Sequence, residues 1–97
     1  MAKFGITNYF KGGTAEQYDN TVKAVHPDGG KGLPAGQLYH AAGPTSDGFQ
    51  VVAIWDSRAS WDKFRDETLL PAFASTANAL PGPPEITEFD VHNEMTA

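Results

Sequence analysis

The chain has 97 residues, with 12 acidic against 7 basic side chains and no cysteine, and its formal net charge is −5. A chain of this length forms a single domain, residues 1–97, around one modest core. The acidic balance argues against nucleic acid and anionic membrane surfaces as partners, because both bind to clustered positive charge. The absence of cysteine excludes disulfides and thiol chemistry, and no apolar run reaches the length of a membrane span, so we expect a cytoplasmic protein.

The first third of the chain predicts a strand followed by a helix. Residues 3–10 alternate between two sides, as strands do. One side of this strand carries Phe4, Ile6, Asn8 and Phe10. Thr14 and Gln17 have the spacing of a capping box, which predicts that a helix begins after Thr14. Apolar residues then recur at helical spacing over residues 15–25, and the glycine- and proline-rich stretch 27–36 predicts a loop.

The middle of the chain predicts a β-hairpin. Residues 37–43 and 49–56 have the composition of strands, and PTSDG between them is a turn sequence. If the glycine at the end of the first of these strands pairs with Phe49, His40 lies opposite Val52. The face of the sheet to which His40 points depends on this register.

The last part of the chain predicts a second helix and a fourth strand. Ser57 is a suitable N-cap for the helix. The inner side of this helix is expected to hold Trp61, Phe64 and either Thr68 or Leu69. Pro71 predicts a kink or a restart, after which the helix continues to about residue 79. Residues 85–92 alternate again and predict a strand.

The order strand, helix, strand, strand, helix, strand is that of the α+β ferredoxin-like fold, βαββαβ. Right-handed crossovers then give a four-stranded antiparallel sheet in the order 4-1-3-2, with both helices on one face. The third strand is apolar on both sides, whereas a sheet with one face in water alternates apolar and polar residues. Two helices cover only one face, so we expect the other face to pack against a second copy of the chain in a homodimer.

The stretch VVAIWDSRASWDKF, residues 51–64, resembles the junction between third strand and second helix in the antibiotic-biosynthesis-monooxygenase-like proteins of the dimeric α+β-barrel superfamily. Element order and length extend this resemblance over nearly the whole chain. The resemblance implies a dimeric α+β barrel, in which two sheets pack face to face. The family includes cofactor-independent oxygenases acting on polycyclic quinol-type substrates, heme-degrading oxygenases, isomerases and decarboxylating relatives. The motif therefore marks the fold and leaves the chemistry open.

The residues that the heme-degrading branch of this family uses are only partly present. That branch has an asparagine in the first strand, a tryptophan in the second helix and a histidine further along the chain. Asn8 matches the asparagine, whereas Phe64 stands where the tryptophan is expected, and no histidine lies near Phe73 or Ala74. Heme degradation is therefore not expected. Because the sequence has no flavin or metal motif either, we expect no cofactor and no metal site.

His40 and Asn8 are the residues that we expect to be catalytic if the protein is an enzyme. His40 lies between Leu38 and Ala42 on its own side of the second strand, and an imidazole in such a place can act as a general base. Asn8 interrupts an otherwise apolar strand side and would orient a substrate oxygen or stabilise an oxyanion. The simpler interpretations are a core or interface histidine with a backbone partner, and an asparagine at a frayed strand end in water.

Four aromatic residues are expected to form the wall of a ligand pocket between sheet and helices: Tyr18, Trp61, Phe64 and Phe73. For Trp61, and for Trp55 at the end of the third strand, core packing is the simpler interpretation. Two functions follow. The first is a homodimer that acts as a cofactor-independent monooxygenase, or a related proton-transfer catalyst, on a hydrophobic aromatic small molecule. The alternative is a non-catalytic module, for small-ligand binding or for stress-related dimerisation, whose pocket is filled by its own side chains.

Overall fold

The structure is a computed structural model that describes residues 2–97. It contains the strands β1 (Phe4–Lys11), β2 (Gln37–Pro44), β3 (Gly48–Trp55) and β4 (Glu85–Asp90). The helices are α1 (Ala15–Val25), α2 (Arg58–Phe64) and α3 (Leu70–Ser75). A π-helical turn, Arg65–Leu69, joins α2 directly to α3, so residues 58–75 form the second helix. A 3₁₀ turn, Asp28–Gly30, lies in the loop after α1.

The strands form one antiparallel sheet in the order β2-β3-β1-β4, which is the predicted order 4-1-3-2 counted from the other edge. α1 and the second helix pack on the same face of this sheet, which we call the helix face. In β1 the helix face carries the four residues predicted to share a side: Phe4, Ile6, Asn8 and Phe10. The predicted α+β arrangement of four strands and two helices is therefore confirmed.

The predicted register of the hairpin is wrong by one residue. Pro44, and not Gly43, lies opposite Phe49. A proline is tolerated there because β2 is an edge strand, where a missing N–H need not interrupt the hydrogen-bonded ladder. His40 consequently lies opposite Ala53, one residue away from its predicted partner, and points to the helix face.

A β-bulge at Leu38 brings a further polar residue of β2 to the helix face. Gln37 lies opposite Trp55 and regular pairing resumes at Tyr39, so the bulge absorbs one extra residue of β2. Without it, Gln37 and His40, three positions apart, would face opposite sides of the sheet, because side chains alternate along a strand. The bulge therefore turns both side chains towards the helices.

Side-chain caps start both helices where the sequence predicts. The Thr14 hydroxyl accepts a hydrogen bond from the Gln17 N–H at 3.1 Å, and the Gln17 side chain accepts one from the Thr14 N–H at 3.0 Å. The Ser57 hydroxyl accepts a bond from the Ser60 N–H at 3.2 Å. These bonds satisfy N–H groups of the first helical turn that have no partner within the helix.

The second helix contains the irregularity that Pro71 predicts. The π-helical turn Arg65–Leu69 precedes the proline, which lies in the first turn of α3, where a residue without an N–H is tolerated. The helix ends earlier than the predicted residue 79, because Thr76 already adopts extended backbone angles.

The core lies between the helix face and the helices and forms two clusters. The first contains Phe4, Ile6, Ala53, Trp55 and Trp61, with Phe64 and Leu69 packed against it. The second contains Phe10, Phe49 and Leu80, with Tyr18, Val51 and Phe73 packed against it. Trp55 and Trp61 are both buried, with ring centroids 5.9 Å apart, so the interpretation of the two tryptophans as core residues is confirmed.

The opposite face of the sheet, which we call the outer face, is largely apolar and is left uncovered by residues 2–97. Its central residues are Gly5, Thr7, Tyr39, Ala41, Val52, Ile54, Thr87 and Phe89. The Phe89 ring lies across Gly5, where a Cβ atom would collide with it. Even so, Phe89 remains 45% exposed and Tyr39 49% exposed.

Candidate functional site

A cavity of about 70 Å³ lies between the helix face and the helices. Strands β1, β2 and β3 form its floor, and α1 and the second helix form its walls. None of the side chains that line it is an acid, a lysine or an arginine. Whether the cavity carries charge therefore depends on its histidines.

The cavity is lined by all six residues that the sequence predicts for the site: Asn8, Tyr18, His40, Trp61, Phe64 and Phe73. They come from β1, α1, β2, α2 and α3, so the site is assembled only when the chain is folded. The sequence left open whether His40 and Asn8 share a face of the sheet, and the structure places both on the helix face. Their catalytic roles stay predictions.

His40 is joined to Tyr18 and lies against a second histidine. The Tyr18 hydroxyl and His40 Nε2 are 2.6 Å apart, and the rings of His26 and His40 meet edge to face with centroids 4.7 Å apart. Burial, with a smaller contribution from His26, lowers the pKa of His40 to about 4. Burial also lowers the pKa of His26. At neutral pH His40 is uncharged, and the depressed pKa of His26 favours the same state.

The low pKa weakens the predicted role of His40 as a general base. An imidazole whose conjugate acid has a pKa of about 4 is free to accept a proton at pH 7 but holds it weakly. If Nε2–H donates to Tyr18, the Nδ1 lone pair is left free; if the Tyr18 hydroxyl donates, Nδ1 carries the hydrogen. In either tautomer Nδ1 is available to a ligand as a hydrogen-bonding group.

Asn8 lies at the boundary between the cavity and a neighbouring groove. It is half-buried in the middle of β1, opposite Val51 and Ile86, and not at a frayed strand end. The groove, of about 330 Å³, lies between the second helix and the segment that leads into β4. Cavity and groove share the lining residues Asn8, Trp61, Leu69, Phe73 and Leu80. This shared set of side chains separates the two spaces.

Three buried polar atoms of the cavity lining have no hydrogen-bond partner within the described chain: Gln37 Oε1, His40 Nδ1 and Trp55 Nε1. An unpaired buried polar group costs about 1–3 kcal/mol, so such groups are few in native proteins. Their concentration in one cavity indicates a place where a partner from outside the chain would be stabilised.

Two residues of the site were not predicted from the sequence. Simple alternation turns Gln37 away from His40, and only the bulge at Leu38 brings them together. The position of His26 at a helix end predicts no more than complementarity to the helix dipole, yet the residue is 8% exposed, lines the cavity and donates from Nδ1–H to the Gly32 carbonyl at 2.9 Å. A neutral, buried imidazole gains little from a helix dipole. The burial of His26 depends on the path of the loop that follows it, and the sequence does not specify that path.

Among residues 2–97 no group of three or more His, Cys, Asp or Glu side chains is placed to hold a metal ion. His26 and His40 are neighbours, but no third ligand of these types accompanies them. None of the helices in that same part of the chain has the length and apolarity needed to cross a membrane.

Fold and cavity together define a small α+β protein with a four-stranded antiparallel sheet and two helices on one face. A solved structure with this fold is that of Rv0793 from Mycobacterium tuberculosis, with a TM-score of 0.67 and 12% sequence identity. The similarity covers 98% of this chain and 100% of that one, and at this identity it shows the fold alone. No protein-family model and no curated protein matches the sequence.

Proposed function

We propose that this protein binds a neutral, mainly apolar small molecule in the cavity between the helix face and the helices. The observation that carries the proposal is the concentration of unpartnered polar atoms, from Gln37, His40 and Trp55, in a cavity without charged side chains. Apolar and aromatic side chains supply most of the remaining wall. Apolar walls with a few convergent polar groups are typical of small-molecule sites.

The size of the cavity limits what it holds without rearrangement. Its volume of about 70 Å³ is well below the ~300–1,000 Å³ of sites for drug-sized ligands. A ligand with an aromatic ring therefore needs the adjoining groove of about 330 Å³ as well. Leu69 and Phe73 line both spaces, and Leu69 belongs to the π-helical turn, an irregularity that is frequent at functional sites. We expect these two side chains to move aside when a ligand binds.

We also propose that the protein is a cytoplasmic homodimer in which two sheets pack face to face, as in the monooxygenase-like dimeric α+β barrels. The centre of the outer face is apolar or uncharged, with Val52, Ile54 and Phe89 among its residues. Two copies related by a twofold axis would meet there without like-charge repulsion, although the net charge of each is −5. A partner with a charged surface would lose solvation on such a face without gaining an opposite charge.

A cofactor-independent monooxygenase is the second candidate function. It is favoured because His40 and Asn8, the predicted base and oxyanion partner, line the same cavity. Oxygen uptake with small quinols tests it: His40→Gln should abolish turnover, and unchanged uptake would remove His40 from the mechanism. A quinol that binds without any oxygen uptake would instead favour the non-catalytic module.

A small-molecule thermal-shift screen tests the binding proposal, because a ligand specific for the folded state must raise the melting temperature. We expect neutral aromatic molecules to raise it. Leu69→Trp, which fills the boundary between cavity and groove, should abolish the shift, whereas Leu33→Trp on an exposed loop should leave it unchanged. A chemically broad screen without a single stabilising neutral compound would contradict the proposal.

A further inference from the structure

We propose that the ligand carries a hydroxyl group, and that this group lies between Trp55 Nε1 and Gln37 Oε1, so that the ligand class is a small neutral phenol or alcohol. The inference rests on the proposed function, which it makes more specific. Trp55 and Gln37 lie directly opposite each other in β3 and β2, and both line the cavity. The Cβ atoms of directly opposed residues lie about 4.5–5.5 Å apart, so we infer that one group in the cavity can reach both unpartnered atoms.

The two atoms need partners of opposite kinds. The indole Nε1–H of Trp55 only donates, and the residue is fully buried, at 0% exposure. The carbonyl oxygen Oε1 of Gln37 only accepts, and that residue is 7% exposed. Neither atom reaches bulk water, and neither finds a partner within residues 2–97. A single partner for both atoms must accept from Trp55 and donate to Gln37.

A hydroxyl group is the smallest organic group that does both, since its oxygen accepts and its O–H donates. A carboxylate or an ammonium group is disfavoured, because the lining has no acid, lysine or arginine to balance its charge and both neighbouring histidines have lowered pKa values. An ether or ketone would leave Gln37 Oε1 unpaired. The uncharged lining thus favours a neutral ligand, and the two atoms specify its polar group.

The rest of the cavity fits an apolar body attached to that hydroxyl. Trp61 and Phe64 pack beside Trp55, with the Phe64 and Trp55 ring centroids 5.1 Å apart. From there the lining continues to Leu69 and Phe73, at the boundary with the groove. A phenol anchored at its hydroxyl would extend its ring along these side chains towards the groove.

The test compares phenol with toluene, two probes of matched size that differ in the hydroxyl. Both are titrated into the full chain and followed by the indole ¹H–¹⁵N cross-peaks, which Trp61→Phe assigns. We expect phenol to bind about a hundredfold more tightly than toluene, because each of its two hydrogen bonds supplies a factor of about ten. We also expect the Trp55 indole proton to move downfield with phenol alone. Gln37→Leu, which keeps the size of the side chain, should weaken the binding of phenol about tenfold and leave the binding of toluene unchanged.

The outcomes separate this inference from the function beneath it. If neither probe binds, the hydroxyl anchor is overturned, and the proposed function fails as well only if the thermal-shift screen yields no neutral ligand. If both bind equally, or if phenol leaves the Trp55 indole unmoved, the cavity binds small molecules but buried water satisfies the two atoms, and the hydroxyl anchor is overturned. A phenol preference that Gln37→Leu does not reduce also overturns it. Should Gln37→Leu fail to fold, the comparison of phenol with toluene on the wild-type chain and the shift of the Trp55 indole proton still test the hydroxyl anchor.

Discussion

The two faces of the sheet are built from alternate residues of the same strands, yet polar atoms on them differ in burial and in hydrogen bonding. In β3, Ala53 and Trp55 on the helix face are 5% and 0% exposed, whereas Val52 and Ile54 on the outer face are half-buried. The helix face encloses polar atoms without partners. On the outer face the Tyr9 hydroxyl simply donates to Asp47 at the surface.

This difference shows that apolar composition alone does not identify a ligand site. Both faces are apolar, but only the helix face combines an enclosed volume with polar groups that a small molecule can satisfy. The outer face is an open surface on which residues 2–97 leave no buried side-chain polar atom without a partner, and it suits a broad partner such as a second copy of the chain. Each of the following predictions tests one side of this contrast.

Substitutions on the helix face should lower the free energy of unfolding more than substitutions on the outer face. Trp61→Ala removes a side chain that is 4% exposed and should lower the free energy of unfolding by about 3–5 kcal/mol. Phe89→Ala on the outer face, at 45% exposure, should cost about 1–2 kcal/mol at protein concentrations too low for association. Urea denaturation followed by circular dichroism measures both. Equal costs would mean that the helix face does not hold the main core.

The second effect concerns assembly through the outer face. Phe89→Asp places a charge on each copy at the proposed dimer interface and should convert a particle of twice 10.4 kDa into one of 10.4 kDa. Ala15→Asp, an exposed position at the start of α1, should leave the mass unchanged. Sedimentation equilibrium at micromolar concentration measures both. A wild-type chain that sediments as a monomer would rule out the homodimer.

The stability of the folded chain should depend on pH through His40 on the helix face. The pKa of His40 is about 4 in the folded chain against about 6.5 when unfolded, so the unfolded state binds more protons between these values. Stability should therefore fall as the pH drops from about 6.5 towards 4. Because the ring is only partly buried, we expect the wild type to lose about 1–2 kcal/mol more than His40→Gln between pH 7 and pH 4.5. Equal losses in urea denaturation would contradict a neutral, partly buried His40.

Much of the fold could be predicted because its signals are local. The capping box at Thr14, the N-cap at Ser57 and the shared side of Phe4 and Ile6 depend on residues a few positions apart, and all three are confirmed. The earlier end of the second helix was missed because the run of small residues after Phe73 carries no strong stop signal before the chain turns at Thr76.

The site was harder to predict because its geometry depends on how strands pair. The turn closes with the Thr45 N–H donating to the Gly48 carbonyl at 2.9 Å, which keeps Pro44 inside β2 and moves His40 to its observed partner. The bulge at Leu38 then adds Gln37 to the cavity. A one-residue shift reverses the face of every side chain in a strand, and nothing in a single sequence records such a shift.

The smallest expected effect lies at the edge of the helix layer, away from the cavity. Thr14→Ala removes the hydroxyl that caps α1 and should lower the free energy of unfolding by about 1 kcal/mol. Ser46→Ala, in the exposed hairpin turn, should change it by much less. Ligand-induced shifts in melting temperature should survive in both variants. A loss of binding in Thr14→Ala would mean that the cavity depends on the cap.

Methyl NMR with phenol is the most direct test of whether the helix face encloses a ligand site. We expect chemical-shift changes to be confined to methyl groups lining the cavity, which include those of Ile6, Val22, Val25, Val51, Leu69 and Leu80. The methyl groups of Val52 and Ile54 on the outer face should not respond. Changes centred on Val52 and Ile54, or none at the cavity methyls with phenol or with any neutral compound from the thermal-shift screen, would contradict it.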